Sequence, residues 1–253
     1  SILKPRNMFA LGLVYWLFDE PMDKAIHLLE EKFSKKPALI APNTKVMVDG
    51  YNYGQNLALT VHQIHLDDAE WSADHQKGQY TSIAGNKATA WGLIAAAEKA
   101  GKQLFLGSYP ITPATDILHE LAARKDMRVI TVQAEDEIAG ICTAIGAAFA
   151  GALACTSTSG PGLSLKSEAL GLAVMAELPL VVIDVQRGGP STGLPTKTEQ
   201  TDLLQALYGR NGECPAVVIA ASTSANCFDY AYEACRIALE NMTPVILMTD
   251  TYL

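Results

Sequence analysis

The sequence predicts an α/β protein, a doubly wound parallel sheet preceded by a small helical segment. After residue 103, six short apolar runs bounded by turn residues alternate with helical patterns, which is typical of βαβ units. The runs are apolar throughout, so we expect helices to cover the sheet on both faces. The chain has 253 residues, 49% of them hydrophobic, enough for one large domain and a smaller one.

The chain is predicted to begin with a helical segment at 1–66. Its helices are expected at 7–18, 21–33 and about 43–65. The second helix has apolar residues at roughly helical spacing, namely Ile26, Leu28, Leu29 and Phe33. A polar linker at 67–84 follows, and the α/β domain occupies 85–253.

The elements of the α/β domain follow from its periodicity. Strands are predicted at 103–109, 128–134, 152–159, 178–186, 215–221 and 244–250. Helices are predicted at 86–100, 114–124, 136–151, 163–177, 199–208 and 224–240. Ligands bind beyond the carboxyl ends of the strands in such sheets, so the first four of these ends are the place to look for a site.

Composition excludes several classes of protein. The net charge of -8 argues against nucleic-acid binding, and no run reaches the ~18 apolar residues of a membrane helix. The five cysteines form no C-x-x-C pair, so we expect reduced thiols of a cytoplasmic protein and no metal cluster on this chain. The cysteines are Cys142, Cys155, Cys214, Cys227 and Cys235.

The loop after the first strand is YPITP, at 109–113. Thr112 as the N-cap of the next helix and Pro113 as its first residue are a sufficient structural explanation. The alternative is that two prolines stiffen the loop so that it presents a hydroxyl to a ligand.

The second strand is followed by QAEDE, at 133–137. Acidic residues are favoured at a helix N-terminus by the dipole, yet three exceed what capping requires. We expect at least one of them to point into a site. The third strand ends in SGPG, at 159–162, whose glycines permit close backbone approach but which lacks the pattern of a phosphate-binding loop.

The fourth strand ends at Arg187, followed by a long loop rich in Gly, Pro, Ser and Thr. Loops of about 12 residues in compact domains are usually lids or binding loops. Arginine binds a carboxylate through two parallel hydrogen bonds, which lysine does not imitate. The competing interpretation is a surface salt bridge.

Taken together and in this order, the four strand ends resemble the alpha subunit of 2-oxoacid:ferredoxin oxidoreductases, particularly the 2-oxoglutarate type. The resemblance covers about 85–253 and rests most on VQRGGPSTGLPTKTEQTDL, at 185–203. It implies that 1–66 is the tail of a gamma-type domain fused ahead of alpha, and that the chain is an internal piece of a longer protein.

The resemblance also implies site residues and cofactors. Glu135 is implied as the catalytic carboxyl that contacts the aminopyrimidine of thiamine diphosphate. Implied substrate contacts are Thr112, Arg187, Ser191, Thr192 and Lys197. Implied cofactor contacts are Tyr109, Pro110, Thr112, Glu135 and Gly160. Mg²⁺ and a [4Fe-4S] cluster are expected on a partner beta subunit. The resemblance implies that thiamine diphosphate lies at the interface between the alpha and beta subunits, and that the assembly is a homodimer or of the α2β2 type.

The implied reaction is oxidative decarboxylation of a 2-oxoacid with coenzyme A, giving acyl-CoA, CO₂ and reduced ferredoxin. This chain alone is expected to turn nothing over. Two alternatives stay open: the pyrimidine-binding part of another thiamine-diphosphate enzyme, such as a transketolase or a dehydrogenase E1 beta chain, and a non-catalytic assembly module.

Overall fold

The computed structural model describes residues 5–57, 61–65 and 79–253. The chain divides between Tyr80 and Thr81 into two compact units, a helical one and an α/β one. The predicted linker lies largely outside the described residues. No helix among the described residues is long and apolar enough to cross a membrane.

The helical unit contains α1 (Arg6–Leu17), α2 (Asp23–Lys32) and α3 (Ile40–Leu57). Helices α1 and α3 pack closely, because a Cβ at Gly12 would lie 1.8 Å from the carbonyl oxygen of Met47. The predicted helices are confirmed, but the third ends at Leu57 rather than at 65.

The buried face of α2 contains Ala25 and Leu29, which pack against Met47. Of the four apolar residues with roughly helical spacing, Leu29 is buried and Ile26 and Phe33 are partly buried against the same cluster. Leu28 is 61% exposed and lies outside this face.

The α/β unit contains six strands. They are β1 (Leu104–Ser108), β2 (Val129–Gln133), β3 (Leu153–Thr158), β4 (Leu180–Gln186), β5 (Val217–Ala220) and β6 (Pro244–Asp250). Its helices are α4 (Gly85–Ala100), α5 (Thr115–Ala122), α6 (Glu137–Phe149), α7 (Gly160–Leu165), α8 (Ser167–Met175), α9 (Leu203–Tyr208) and α10 (Ser224–Asn241). All six predicted strands are confirmed.

The strands form one parallel sheet in the order β2-β1-β3-β4-β6-β5. Every residue of β3, β4 and β6 is buried, while the edge strands β2 and β5 are partly exposed. Helices α4, α5 and α10 cover one face, and α6, α8 and α9 contribute to the core on the other. The doubly wound fold is therefore confirmed.

Two predicted helices differ from the observed ones. The helix predicted at 163–177 starts at Gly160 and is interrupted at Lys166, which separates α7 from α8. The helix predicted at 199–208 starts only at Leu203. Before the helix, Gln200 Nε2 donates to Asp250 Oδ2 at the end of β6, and the backbone N–H of Asp202 donates to Gln186 Oε1 at the end of β4.

Candidate active site

The carboxyl ends of β1, β2 and β3 are joined by hydrogen bonds at one edge of the sheet. The backbone N–H of Ala134, beyond β2, donates to the carbonyl oxygen of Ser108 at 2.9 Å. The Ser108 hydroxyl donates to the carbonyl oxygen of Ser157 in β3 at 2.8 Å. The strand order changes direction between β1 and β3, so this is the point at which a doubly wound sheet forms a binding crevice.

Arg187 joins the loops that follow β1 and β4. Its Nη1 donates to the carbonyl oxygen of Thr112 at 2.6 Å, and its Nη2 donates to that of Thr192 at 2.5 Å. Arg187 is only 6% exposed, so it does not form the surface salt bridge considered above. Its Nε is buried and has no hydrogen-bond partner among the described residues. Since a guanidinium carries five N–H donors, Arg187 retains donors for an anionic ligand.

Thr112 does not cap α5. The helix begins at Thr115 with Ala114 as its N-cap, and the backbone N–H of Thr115 donates to Ile111 O at 3.0 Å. Residues 112–114 form a turn, and the Thr112–Pro113 peptide bond is cis. The N-cap interpretation is therefore wrong. Thr112 and Tyr109 are exposed at the carboxyl edge, with Pro110 half-buried between them.

The three acidic residues after β2 have different surroundings. Asp136 is the N-cap of α6 and accepts a hydrogen bond from the backbone N–H of Ala139 at 2.7 Å. Glu137 is half-buried, and its Cγ would lie 2.8 Å from a Cβ placed on Gly162. Glu135 is exposed just beyond the strand. Of the three, Glu135 has the carboxyl with the freest access to a ligand at the edge.

Lys166 binds the backbone at the start of α6, at the last of the three acidic residues. Its side chain is fully buried, and its Nζ donates to the carbonyl oxygen of Glu137 at 2.6 Å. Burial lowers the pKa of Lys166 to about 8, although the nearby charges of Glu137 and Asp136 oppose this shift. The lysine therefore ties α7 and α8 to the start of α6.

The loop at 188–202 is closed by its own hydrogen bonds. The backbone N–H of Gly188 donates to Lys197 O, and that of Leu194 donates to Gly188 O, both at 2.8 Å. The backbone N–H of Gly189 donates to Glu199 Oε2 at 2.9 Å. The conformation of the loop is thus fixed by contacts within the chain, and the loop exposes three of the predicted contacts: Ser191, Thr192 and Lys197.

Gly193 is required by the conformation of this loop. Its φ is +59°, and a Cβ there would lie 1.8 Å from the carbonyl oxygen of Gly188. A non-glycine residue in the left-handed region costs about 1–2 kcal/mol. We expect Gly193→Ala to lower the free energy of unfolding by more than this, because the loop must also open. If the loop binds the carboxylate ligand predicted for Arg187, the affinity for that ligand should fall about tenfold for each 1.4 kcal/mol by which the substitution favours the open loop.

Gly212 provides the matched control. Its φ is +69°, but a Cβ there meets nothing within 4 Å. Gly212→Ala should therefore reduce the free energy of unfolding without changing that affinity. An equal loss of affinity in both variants, measured by ligand titration beside chemical denaturation, would contradict the role given to the loop.

A cavity of about 490 Å³ lies between the start of α7 and the loop. Arg187, Ser191 and Gly160 are among its lining residues. Gly160 is itself covered by a side chain, since a Cβ there would lie 2.7 Å from both carboxyl oxygens of Asp202. The close approach expected at this glycine is thus made by Asp202.

Several polar residues at this edge escaped the sequence analysis. Gln186 Oε1 accepts from the backbone N–H of Asp202 at 3.1 Å, and Gln200 Nε2 donates to Asp250 Oδ2 at 2.5 Å. Asp184 is fully buried in the middle of β4. A charged residue inside the run LVVIDVQ was the available signal, because acids are almost never fully buried without a partner.

Comparison with known proteins supplies an independent result. Residues 96–253 match the family model described as pyruvate flavodoxin/ferredoxin oxidoreductase, thiamine diP-bdg. The chain is 55% identical over 249 residues to the 2-oxoglutarate oxidoreductase subunit KorA of Mycobacterium tuberculosis, covering 98% of this chain and 37% of the relative. It is 44% identical over 169 residues to the 2-oxoglutarate synthase subunit KorA of Archaeoglobus fulgidus, covering 66% of this chain and 47% of the relative.

A solved structure is also similar. The 2-oxoglutarate:ferredoxin oxidoreductase from Magnetococcus marinus, with 2-oxoglutarate, coenzyme A and succinyl-CoA bound, aligns with a TM-score of 0.80 and 38% identity. The alignment covers 98% of this chain and 42% of that one. The chain therefore spans less than half the length of the relatives that it matches.

Proposed function

The chain belongs to the pyruvate flavodoxin/ferredoxin oxidoreductase family, as a thiamine diphosphate-binding member, and we propose that it is the alpha part of a 2-oxoglutarate:ferredoxin oxidoreductase. The observation that carries the proposal is the buried Arg187, which joins the loops after β1 and β4 and retains N–H donors beside exposed Thr112. The reaction consumes a 2-oxoacid and coenzyme A, releases acyl-CoA and CO₂, and passes two electrons to ferredoxin.

The substrate carboxylate is assigned to Arg187 and Thr112. Charge-assisted hydrogen bonds from a buried guanidinium are stronger and more directional than those from an exposed one. The exposed hydroxyl of Thr112 is placed to donate to the 2-oxo or carboxylate oxygen. Ser191, Thr192 and Lys197 lie on the exposed side of the loop, where they contact the rest of the substrate.

Discrimination in favour of 2-oxoglutarate needs a cation for the second carboxylate. Arg210 is committed elsewhere, because its Nε, Nη1 and Nη2 donate to the carbonyl oxygens of Cys214, Ala206 and Leu207. Lys197 is exposed on the loop and is the candidate that this chain offers. We assign the distal carboxylate to Lys197 or to a cation of the partner subunit.

The residues at the edge fit the aminopyrimidine half of thiamine diphosphate. The exposed carboxyl of Glu135 lies directly beyond β2, and Tyr109, Pro110 and Thr112 follow the adjoining β1. Thiamine diphosphate supplies the nucleophilic carbon and the electron sink of the reaction. Glu135 would hold a proton at the aminopyrimidine ring nitrogen, and the two prolines of YPITP would stiffen the loop that carries Tyr109 and Thr112.

The metal groups are assigned to a partner subunit. Within residues 5–57, 61–65 and 79–253, no group of three or more His, Cys, Asp or Glu side chains is placed to hold a metal ion. All five cysteines are free thiols, and three of them are buried. We propose that a beta subunit carries Mg²⁺, the diphosphate contacts and the [4Fe-4S] cluster, in a homodimeric or α2β2-type cytoplasmic assembly with ferredoxin as its electron acceptor. The segment 1–66 is assigned to a gamma-type domain.

Reconstitution tests the proposal. The subunit that contains this chain is combined with its beta-type partner, thiamine diphosphate, Mg²⁺ and coenzyme A. We expect 2-oxoglutarate to release CO₂ and reduce ferredoxin, with no turnover when either subunit is omitted. Assembly without any cofactor-dependent decarboxylation would indicate a non-catalytic module, and turnover of a sugar phosphate instead would indicate a transketolase-type enzyme.

A further inference from the structure

Two carboxyl groups, those of Asp184 and Asp202, lie where the 188–202 loop meets the sheet, and neither has a role in the proposed chemistry. Asp184 is fully buried on β4, and Asp202, at the N-cap position of α9, binds Gln186 two residues further along the same strand. Both oxygens of Asp184 and Oδ2 of Asp202 are buried without a donor among the described residues. Two buried carboxylates side by side repel each other, so such pairs are stable when they share a proton.

The surroundings of the pair do not neutralise two negative charges. Helix α7 contributes only Gly160, whose Cα lies against the Asp202 carboxyl. Burial raises the pKa of Asp202, and hydrogen bonding to Asp184 and Thr201 opposes this shift. Of the charged residues of the loop, Glu199 raises the pKa further and Arg187 lowers it. Burial, followed by the adjacent charge of Asp202, raises the pKa of Asp184 well above its usual range.

The pair lies where the loop returns to the sheet. Gln186 is on the same face of β4 as Asp184, and its Oε1 accepts the backbone N–H of Asp202 at 3.1 Å. Asp202 is therefore held to β4 through its backbone N–H. Arg187 begins the loop at that same strand end, so both ends of the loop are attached to β4.

We propose that Asp184 donates a shared proton to the carboxylate of Asp202 and that this hydrogen bond positions the 188–202 loop around Arg187. Both are positioning residues, which act on the substrate through the loop. The positioning role rests on the proposed function, because it requires that Arg187 binds the substrate. The shared proton between the two carboxyl groups does not depend on the proposed function.

The pH dependence follows from the raised pKa of Asp184. The stability that the protonated pair contributes is fully present below the ordinary carboxyl pKa of about 4, and it is lost as the pH rises through the raised value. Asp184→Asn should abolish this loss, because the amide donates the same hydrogen bond and has no titrating proton. Asp184→Leu has similar volume but no donor.

The first experiment measures KM and kcat for 2-oxoglutarate from pH 7 to pH 10 in the complete enzyme with its partner subunit. We expect KM of the wild type to rise with pH relative to Asp184→Asn. Asp184→Leu should show a KM raised about tenfold at every pH, the effect of one lost hydrogen bond to a charged group, with kcat changed less. If Asp184→Leu does not fold, Asp202→Ala at the half-buried partner replaces it. Parallel KM profiles in the wild type and Asp184→Asn would overturn the proposal.

The second experiment detects the proton without any turnover. The infrared difference spectrum of wild type minus Asp184→Asn at pH 7 should contain the carbonyl stretch of a protonated carboxylic acid. Absence of this band would overturn the proposal of a shared proton. If the band is present but Asp184→Leu leaves KM unchanged, the positioning role is overturned. A wild-type enzyme that does not consume 2-oxoglutarate contradicts the proposed function alone, because the infrared band and the pH dependence of unfolding still test the pair.

Discussion

Glu135→Gln is expected to slow proton exchange at the thiazolium carbon of bound thiamine diphosphate by ~10²–10⁴-fold, the usual contribution of general acid–base catalysis. The amide preserves the shape of the side chain but does not share a proton with the aminopyrimidine ring nitrogen. Because Glu135 is exposed, the free energy of unfolding should change by less than about 0.5 kcal/mol. Exchange into deuterated solvent, followed by NMR in the complete enzyme, measures the effect.

Glu137→Gln is the matched control for this prediction. Glu137 lies two residues on, is half-buried and faces Gly162 rather than the open edge. We therefore expect its exchange rate to remain near that of the wild type. Normal exchange in Glu135→Gln together with slow exchange in Glu137→Gln would move the catalytic role to Glu137.

Arg187→Lys is expected to raise KM for 2-oxoglutarate and pyruvate by similar factors. The loss of a charge-assisted bond shielded from water costs about 1.5–3 kcal/mol, which is roughly 10- to 150-fold in KM. The guanidinium binds the carbonyl oxygens of Thr112 and Thr192 through separate nitrogens. A single ammonium cannot span both and also present two parallel donors to a carboxylate.

The control for Arg187→Lys is Arg236→Lys on α10. Arg236 is an exposed arginine that pairs with Glu233 and Glu240. Exposed ion pairs contribute about 0–1 kcal/mol, so this variant should leave KM unchanged. A selective rise of KM for 2-oxoglutarate in Arg187→Lys, with pyruvate unaffected, would mean that Arg187 binds the distal carboxylate instead.

Much of the candidate site was predictable because its residues follow strands. Parallel strands all end at one edge of the sheet, so YPITP, QAEDE, SGPG and Arg187 were expected to lie near each other once the strands were recognised. Glu135 and Arg187 are where the sequence places them. Their roles in catalysis and in substrate binding stay predictions that the two variants above test.

The errors of the sequence analysis arose where a residue has a partner far away in the chain. Thr112 matched the pattern of an N-cap, but its carbonyl oxygen binds Arg187, 75 residues later. The start of α9 was predicted too early, and the side chains of Glu199 and Gln200 just before it bind Gly189 and Asp250. Local propensity carries no information about such partners.

The sequence by itself determined the fold class and the edge at which the site lies. Runs such as LVVIDVQ are too apolar to leave either face exposed, and helical patterns between the strands require parallel crossovers. Only the tertiary structure decided the strand order, the burial of Arg187 between two loops and the attachment of Asp202 to the strand that buries Asp184. The physical reason is that these features depend on which distant elements pack side by side, and that choice is made by the whole core rather than by any one segment.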